Sequence, residues 1–343
     1  MDRNGQPDKV ADMADDAKKT KRNCAQDTKA MEELGRKIFD LSWVETYFDE
    51  LDDMNDSKVG RRFVFSASLI SWALILRTVL RISYRLTLGI VNASLSEYGL
   101  PNISLTQLFN RCIESHIVMN TDDERFLAYG RGNVPPSDHP ITVALDSTGI
   151  SINKYGGWLV NKWGMKKVSG WIKLHVAVDT ATNEILSFVI TDEHCGDITC
   201  TDLLMEQVLA GGHKVVGLLA DAAYDSKANW KKYSDMGMKV CINIKSKNLT
   251  DYAKPTGHLG IRSHGCMVRG TQIKRIDEIG REEWKKENGY NRRWKVECTF
   301  SDLKRILGDI LRSRTRLNGV LEALDKVSVH NLYKEIRKKY AEA

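Results

Sequence analysis

The chain has 343 residues, 42% of them hydrophobic and 28% charged, with a formal net charge of +6. That is the composition of a folded water-soluble protein with room for one large domain and a smaller one, and it excludes a fibrous or low-complexity chain. The longest apolar run, residues 63–76, contains three serines and is too short to cross a bilayer, so no membrane role is expected. The charge is uneven: residues 1–58 carry 15 acidic and 10 basic side chains, whereas residues 281–343 carry 16 basic and 10 acidic. A basic body points toward a polyanionic partner, although many basic proteins bind none.

From the N-terminus, residues 1–36 read as a flexible mixed-charge leader without a signal pattern. The seven cysteines form neither CxxC nor a paired zinc spacing, which fits a reduced, cytoplasmic protein. Apolar spacing at Phe39, Trp43, Tyr47, Phe48 and Leu51 predicts a helix over 38–51, followed by a polar turn over 52–58. Further helices are expected over 63–80, 86–98 and 105–115; Gly99 and Pro101 stop the second, and Ser104 is placed to cap the third. Residues 37–129 thus predict an all-helical domain. The helices around Gly99-Leu100-Pro101 fit a helix-turn-helix and a plain αα-hairpin equally well.

Residues 130–140, rich in glycine and proline, read as a linker. Beyond them the pattern changes. Strands are predicted over 141–152, 170–179 and 184–191, the last two joined by the turn 179–183. A helix over 198–209 capped by Asp197, a strand over 214–219, a helix over 226–236 and a strand over 239–244 follow. Residues 246–280 show no clear periodicity, and long helices over 282–312 and 317–340 close the chain. Residues 141–343 therefore predict an α/β domain, its sheet antiparallel at the start and parallel later, with helices on its faces. Active sites of such sheets lie at strand ends.

Three acids stand out. Asp146 lies inside an apolar strand, in Leu145-Asp146-Ser147-Thr148-Gly149, an uncommon place for a carboxylate without a partner. Asp221 ends a later strand, in Ala220-Asp221-Ala222-Ala223-Tyr224-Asp225. If these strands are neighbours, both carboxylates emerge on the same side of the sheet. Glu297 belongs to a helical stripe with Tyr290, Arg293 and Lys304, at offsets 0, 3, 7 and 14. At about 100° per residue the four project within an arc of roughly 60°, beside the apolar stripe Val296, Phe300, Leu303, Leu307 and Ile310. Taken singly, Asp146 reads equally as a turn-closing residue, Asp221 as a helix cap and the stripe as a solvated edge. Taken together, converging carboxylates repel one another and call for a hard divalent cation. Two such ions about 4 Å apart activate a water or hydroxyl on one side of a phosphodiester and stabilise the leaving oxygen on the other.

These motifs resemble a DDE-class insertion-sequence transposase, of the kind whose catalytic domain has the ribonuclease-H-like fold. Tyr290, Arg293, Glu297 and Lys304 match the family's tyrosine–arginine–glutamate–lysine pattern, with gaps of two, three and six, without deviation. The stretch 171–179 resembles the family's second strand, and His194-Cys195-Gly196-Asp197 its loop after the third. The resemblance spans residues 140–335. It implies a ribonuclease-H-like mixed sheet flanked by helices, preceded by an N-terminal all-helical domain for DNA binding or dimerisation. It implies Asp146, Asp221 and Glu297 as the catalytic, metal-binding triad for two Mg²⁺ ions, with Mn²⁺ as a substitute, and Tyr290, Arg293 and Lys304 as contacts to DNA phosphates. Double-stranded DNA, both terminal inverted repeats and target, is the implied partner, bound by a homodimer. Lys154, Lys162, Lys166, Lys167 and Lys173 read either as an extended phosphate track or as a solvated basic edge. Trp158, Trp163 and Trp171 read as core or lid residues, and Tyr224 as a packing residue. One departure is expected: residues 246–280 leave no room for the large β-rich insertion of some relatives. The expected activity is Mg²⁺-dependent hydrolysis at transposon ends and strand transfer into target DNA. A catalytically silent DNA-binding descendant and a structure-selective nuclease of the same fold are the alternatives.

Overall fold

The structure, a computed structural model, describes residues 25–114, 126–152, 170–245, 266–313 and 316–340. The chain divides into two compact units. The first takes the chain up to Arg77, Ile82–Leu108 and the residues from Leu332 onward; the second takes Thr78–Arg81 and Phe109–Asn331.

The first unit is helical. Helix α1 covers residues 25–39, reaching back into the stretch read as a leader, because Ala30, Leu34 and Ile38 recur every fourth residue and are buried. The helix expected over 38–51 is broken. Asp40 accepts the Ser42 amide at 3.0 Å, an Asx turn that competes with helical pairing, and a 3-10 turn at Ser42–Val44 separates α1 from α2 (Tyr47–Asn55). Trp43 packs beside Tyr47 and Trp72, with ring centroids 6.1 and 5.7 Å away, and Trp72 Nε1 donates to the Ile38 carbonyl at 2.9 Å. Helix α3 (Ala67–Leu80) starts later than its apolar run. The Asn55 side chain pairs with both backbone groups of Phe63, at 2.7 and 3.0 Å, and so holds that residue out of the helix. Ser83 caps α4 (Tyr84–Glu97). Helix α5 (Leu105–Glu114) opens on a capping box: the Gln107 amide donates to Ser104 Oγ at 3.2 Å, and the Ser104 amide to Gln107 Oε1 at 3.0 Å.

The second unit is built on a mixed sheet of β1 (Phe126–Arg131), β2 (Ile141–Ile152), β3 (Gly170–Asp179), β4 (Ile185–Asp192), β5 (Val215–Ala220) and β6 (Lys239–Ile242), in the order β1-β4-β3-β2-β5-β6. Pairings from β1 to β2 are antiparallel; β5 joins β2, and β6 joins β5, in parallel. This is the α/β sheet, antiparallel first and parallel later, that the element order predicted, and the ribonuclease-H-like arrangement that the resemblance implied. Strand β1 is an addition at the edge, falling where the helical domain and linker were expected. The glycine in its tail serves close approach: a Cβ at Gly132 would stand 1.7 Å from the Ile185 carbonyl oxygen. Asn331 fastens that contact, donating to the Gly132 and Ile185 carbonyls and accepting the Ile185 amide, all within 2.9 Å.

Helices α6 (Thr201–Ala210), α7 (Lys227–Asp235), α8 (Met267–Ile279), α9 (Arg281–Glu287), α10 (Trp294–Leu307) and α11 (Arg316–Lys339) complete the described fold. Helix α8 lies in the stretch that showed no periodicity, since its apolar face is little more than Ile273 and Ile276, with Arg269 buried in place of a third hydrophobe. Residues 246–265, where an insertion was not expected, lie outside the described residues. The single helix expected over 282–312 is divided: Gly289, at φ +65°, ends α9, a 3-10 turn follows at Tyr290–Arg293, and Gly308, at φ +82°, ends α10. Ile310, read as part of a helical stripe, instead lies in β7 (Ile310–Leu311), parallel to the end of β2. Among the described residues no helix is long and apolar enough to cross a membrane.

Candidate active site

Two parallel strands set the frame. The ladder between β2 and β5 ends at Leu145 and Ala220, so Asp146, inside β2, and Asp221, just past the end of β5, are the next residues beyond it on neighbouring strands. The Asp146 side chain is only 19% exposed. Burial pushes its pKa above the ordinary carboxylate value and the Asp221 charge adds to this; the Ser147 amide, donating at 2.8 Å, and the Arg293 guanidinium oppose it. Asp221 caps the 3-10 turn Ala222–Tyr224, accepting the Ala223 amide at 2.8 Å.

The 290–304 stripe comes from the turn before α10 and from the helix itself. Arg293 joins two of the acids. Its Nη1 donates to Asp146 at 3.0 Å, and its Nη2 pairs with Glu297 one turn along. Glu297 is otherwise well exposed, at 57%. Tyr290 is buried, its ring 6.3 Å from that of Trp284, with the Arg293 guanidinium 5.9 Å from its centroid. Burial raises its hydroxyl to about 12. Tyr290 here supports Arg293 from beneath. Lys304, two turns beyond Glu297, donates to Thr148 Oγ1 at 2.6 Å, so α10 is tied to β2 at both ends of the stripe.

Among the described residues, no group of three or more His, Cys, Asp or Glu side chains stands close enough together to hold a metal ion. Asp146 and Glu297 are gathered around the Arg293 guanidinium instead. All three acids are oxygen donors, the ligand type that a hard divalent ion takes; Asp146 and Asp221 follow the last β2–β5 pair, and Arg293 bridges Asp146 and Glu297.

Several participants were not legible beforehand. Asp197, expected to cap a helix, makes no cap hydrogen bond there; its carboxylate binds Ser147, Lys173 and His175 instead. Lys173, one of the lysines proposed for a phosphate track, is therefore engaged with a carboxylate; Lys154, Lys162, Lys166 and Lys167 lie outside the described residues, as do Trp158 and Trp163. Trp171 is half-exposed and covers Gly149, where a Cβ would stand 2.4 Å from its ring. Tyr224 is fully buried, and burial, with Asp197 and Asp146 adding, raises its hydroxyl well above the ordinary value. The aspartate in His194-Cys195-Gly196-Asp197, in the loop after β4, was the one available signal for the Asp197 cluster.

Residues 138–332 match the sequence model of the transposase DDE domain family. Among solved structures, the chain is similar to the Drosophila P element transposase strand transfer complex, at 13% identity and a TM-score of 0.30, covering 88% of this chain and 86% of that one.

Proposed function

The chain belongs to the transposase DDE domain family, whose domain occupies more than half of it; from that premise we propose that it binds terminal inverted repeats, hydrolyses the phosphodiester at the transposon 3′ end and joins that end to target DNA. The observation that carries this reading is the register that sets Asp146 and Asp221 one residue beyond the last β2–β5 pair, with Asp146 on the Arg293 that also holds Glu297.

In the first reaction a water oxygen bonds to phosphorus as the bond to the flanking strand breaks, leaving a free 3′-OH. In the second, that hydroxyl oxygen bonds to a target phosphorus and the target's own 3′ oxygen leaves. Asp146, Asp221 and Glu297 would hold a pair of divalent ions, Mg²⁺ by the hardness of the donors, whose Lewis acidity lowers the barrier to both displacements. Arg293 and Lys304 orient non-bridging phosphate oxygens, because cationic donors one or two helical turns from Glu297 meet the backbone beside the scissile bond. Thr148 sets the reach of Lys304, and Tyr290 sets that of Arg293. Synapsis of two transposon ends requires at least a dimer, and the helical first unit is the proposed site of end recognition or dimerisation.

The test is incubation of the protein with a labelled inverted-repeat end, target plasmid and Mg²⁺. Cleavage leaving a 3′-OH, followed by a joined product, is expected. Binding without cleavage would identify a silent DNA-binding protein, and cleavage without joining a nuclease. Lys304→Ala should weaken end binding at every sequence and lower the slope of log affinity against log salt by about 1. Filter binding at several salt concentrations measures it, and an unchanged slope removes Lys304 from the phosphate track.

A further inference from the structure

Strand β2 is unevenly supported. Up to Leu145 it is paired on both edges, by β3 and β5; among the described residues, it keeps β3 alone from Asp146 to Ile150, until β7 meets it at Ser151. The residue on which the proposed chemistry depends is thus the first of a stretch held by one edge only. Such a stretch opens more readily than the paired strand before it. Side chains on both faces replace the missing ladder. On one face Thr148 is tied to Lys304. On the other, Ser147 Oγ donates to Asp197 Oδ1 at 2.7 Å.

Asp197 is itself held firmly. The same Oδ1 lies 2.6 Å from Lys173 Nζ and 3.3 Å from His175 Nδ1, and both residues sit on β3. Lys173 also donates to the Cys195 carbonyl at 3.2 Å, which binds the loop after β4 to the sheet. His175 is fully buried, with Nε2 3.0 Å from Thr191 Oγ1 on β4. Burial alone would push the Asp197 carboxyl up; the Lys173 ammonium, the Ser147 hydroxyl and the adjacent His175 ring outweigh it and hold the group ionised well below the usual range. A charged, mostly buried acceptor fastened to β3 is a rigid anchor for a single hydroxyl on β2.

We propose that Asp197, with Lys173 and His175 holding it, is a positioning residue that fixes Asp146 through the hydroxyl of Ser147. This rests on the reading of Asp146 as a catalytic carboxylate. Asp197 does not reach the reacting atoms. It restrains the backbone that carries Asp146 from the opposite face of the sheet, as a partner outside the ligand shell orients a ligand.

Asp197→Asn, Ser147→Ala and Ser147→Thr in the full chain test it by two independent measurements. Hydrogen-exchange mass spectrometry without DNA or metal should show faster exchange over residues 146–150 in Asp197→Asn and Ser147→Ala, with β5 and α10 unchanged. In end cleavage, the half-saturating Mn²⁺ concentration should rise by about 10- to 100-fold in the same two variants. DNA binding should be unaltered, and Ser147→Thr, which keeps the hydroxyl, should behave as the parent. Parental exchange and parental Mn²⁺ dependence in Ser147→Ala overturn the proposal. That variant leaves the Lys173–Asp197 pair in place, so it decides the matter even if Asp197→Asn does not fold. Absence of cleavage by the parent protein would instead remove the transposase reading, while the exchange data still judge the tether.

Discussion

Asp146→Asn should lower divalent-metal-dependent cleavage of a transposon end by at least about a thousandfold, the scale on which one member of an interdependent catalytic set acts, while leaving end binding intact. The exchange is nearly isosteric, although Asp146 gives one oxygen to the Ser147 amide and the other to Arg293, and the single amide oxygen of asparagine keeps the first and gives up the second. What is lost with it is the negative charge. The variant carries a second expectation that an ordinary structural residue would not share. Burial raises the Asp146 pKa in the folded protein, and a carboxyl whose folded pKa lies above its unfolded value is ionised at neutral pH at a cost to folding. Stability from this group therefore grows as pH falls toward the raised pKa and is withheld above it. The neutral asparagine removes that cost, so Asp146→Asn should melt no lower than the parent at pH 7, as sites kept for function often do when neutralised. A thermal melt alongside a gel-based cleavage assay settles both points. Parental cleavage by Asp146→Asn, or by Asp221→Asn or Glu297→Gln, would remove that acid from the proposed set.

The second large effect concerns folding. Asp225 follows the motif that contains Asp221, and its side chain is fully enclosed. It accepts Arg269 Nε at 2.9 Å and Nη2 at 2.8 Å, Trp230 Nε1 at 3.1 Å and the Lys245 amide at 3.2 Å. The pair binds α8 to the turn that carries Asp221. Asp225→Ala should destabilise the protein by about 3–5 kcal/mol, because it strands a buried guanidinium and two further donors. Urea unfolding at pH 7 measures it, and a loss under about 1 kcal/mol would mean that the site relaxes and rehydrates. Burial pushes the Asp225 pKa up, but Arg269 and the Lys245 amide prevail and the net shift is downward. The sign is then opposite to that of Asp146. This stabilisation is complete above the unfolded carboxylate pKa of about 4 and is lost as pH falls through the depressed folded value. An Asp225→Asn variant should accordingly show a flatter acid limb than the parent.

Much of the second unit follows from local pattern. Strands β2 to β6 are short β-branched or apolar runs bounded by turn residues, and two-residue periodicity marks such segments whatever packs on them. Ser83, Ser104 and Ser226 cap helices because the hydroxyl satisfies an amide within three residues, and no distant contact is needed. Some features that did not follow are local, such as the Asp40–Ser42 turn and the glycine at 289, and others depend on partners far along the chain. Strand β1 exists through its pairing with β4 some sixty residues away. Ile310 leaves the helical pattern because β2 offers a free edge there.

The sequence alone determined the alternating αβ order, one aspartate inside a strand and another at the end of a later one, and the Tyr290–Arg293–Glu297–Lys304 spacing, since each is a matter of residue type and interval along the backbone. Only the tertiary structure decided that Leu145 and Ala220 are neighbours, that one guanidinium spans Asp146 and Glu297, and that Asp197 turns from its own helix to hold Ser147. The reason is physical. A strand or a cap is stabilised by groups a few residues apart, whereas a buried charge takes whichever opposite charge or donor the packing of distant segments brings within about 3 Å.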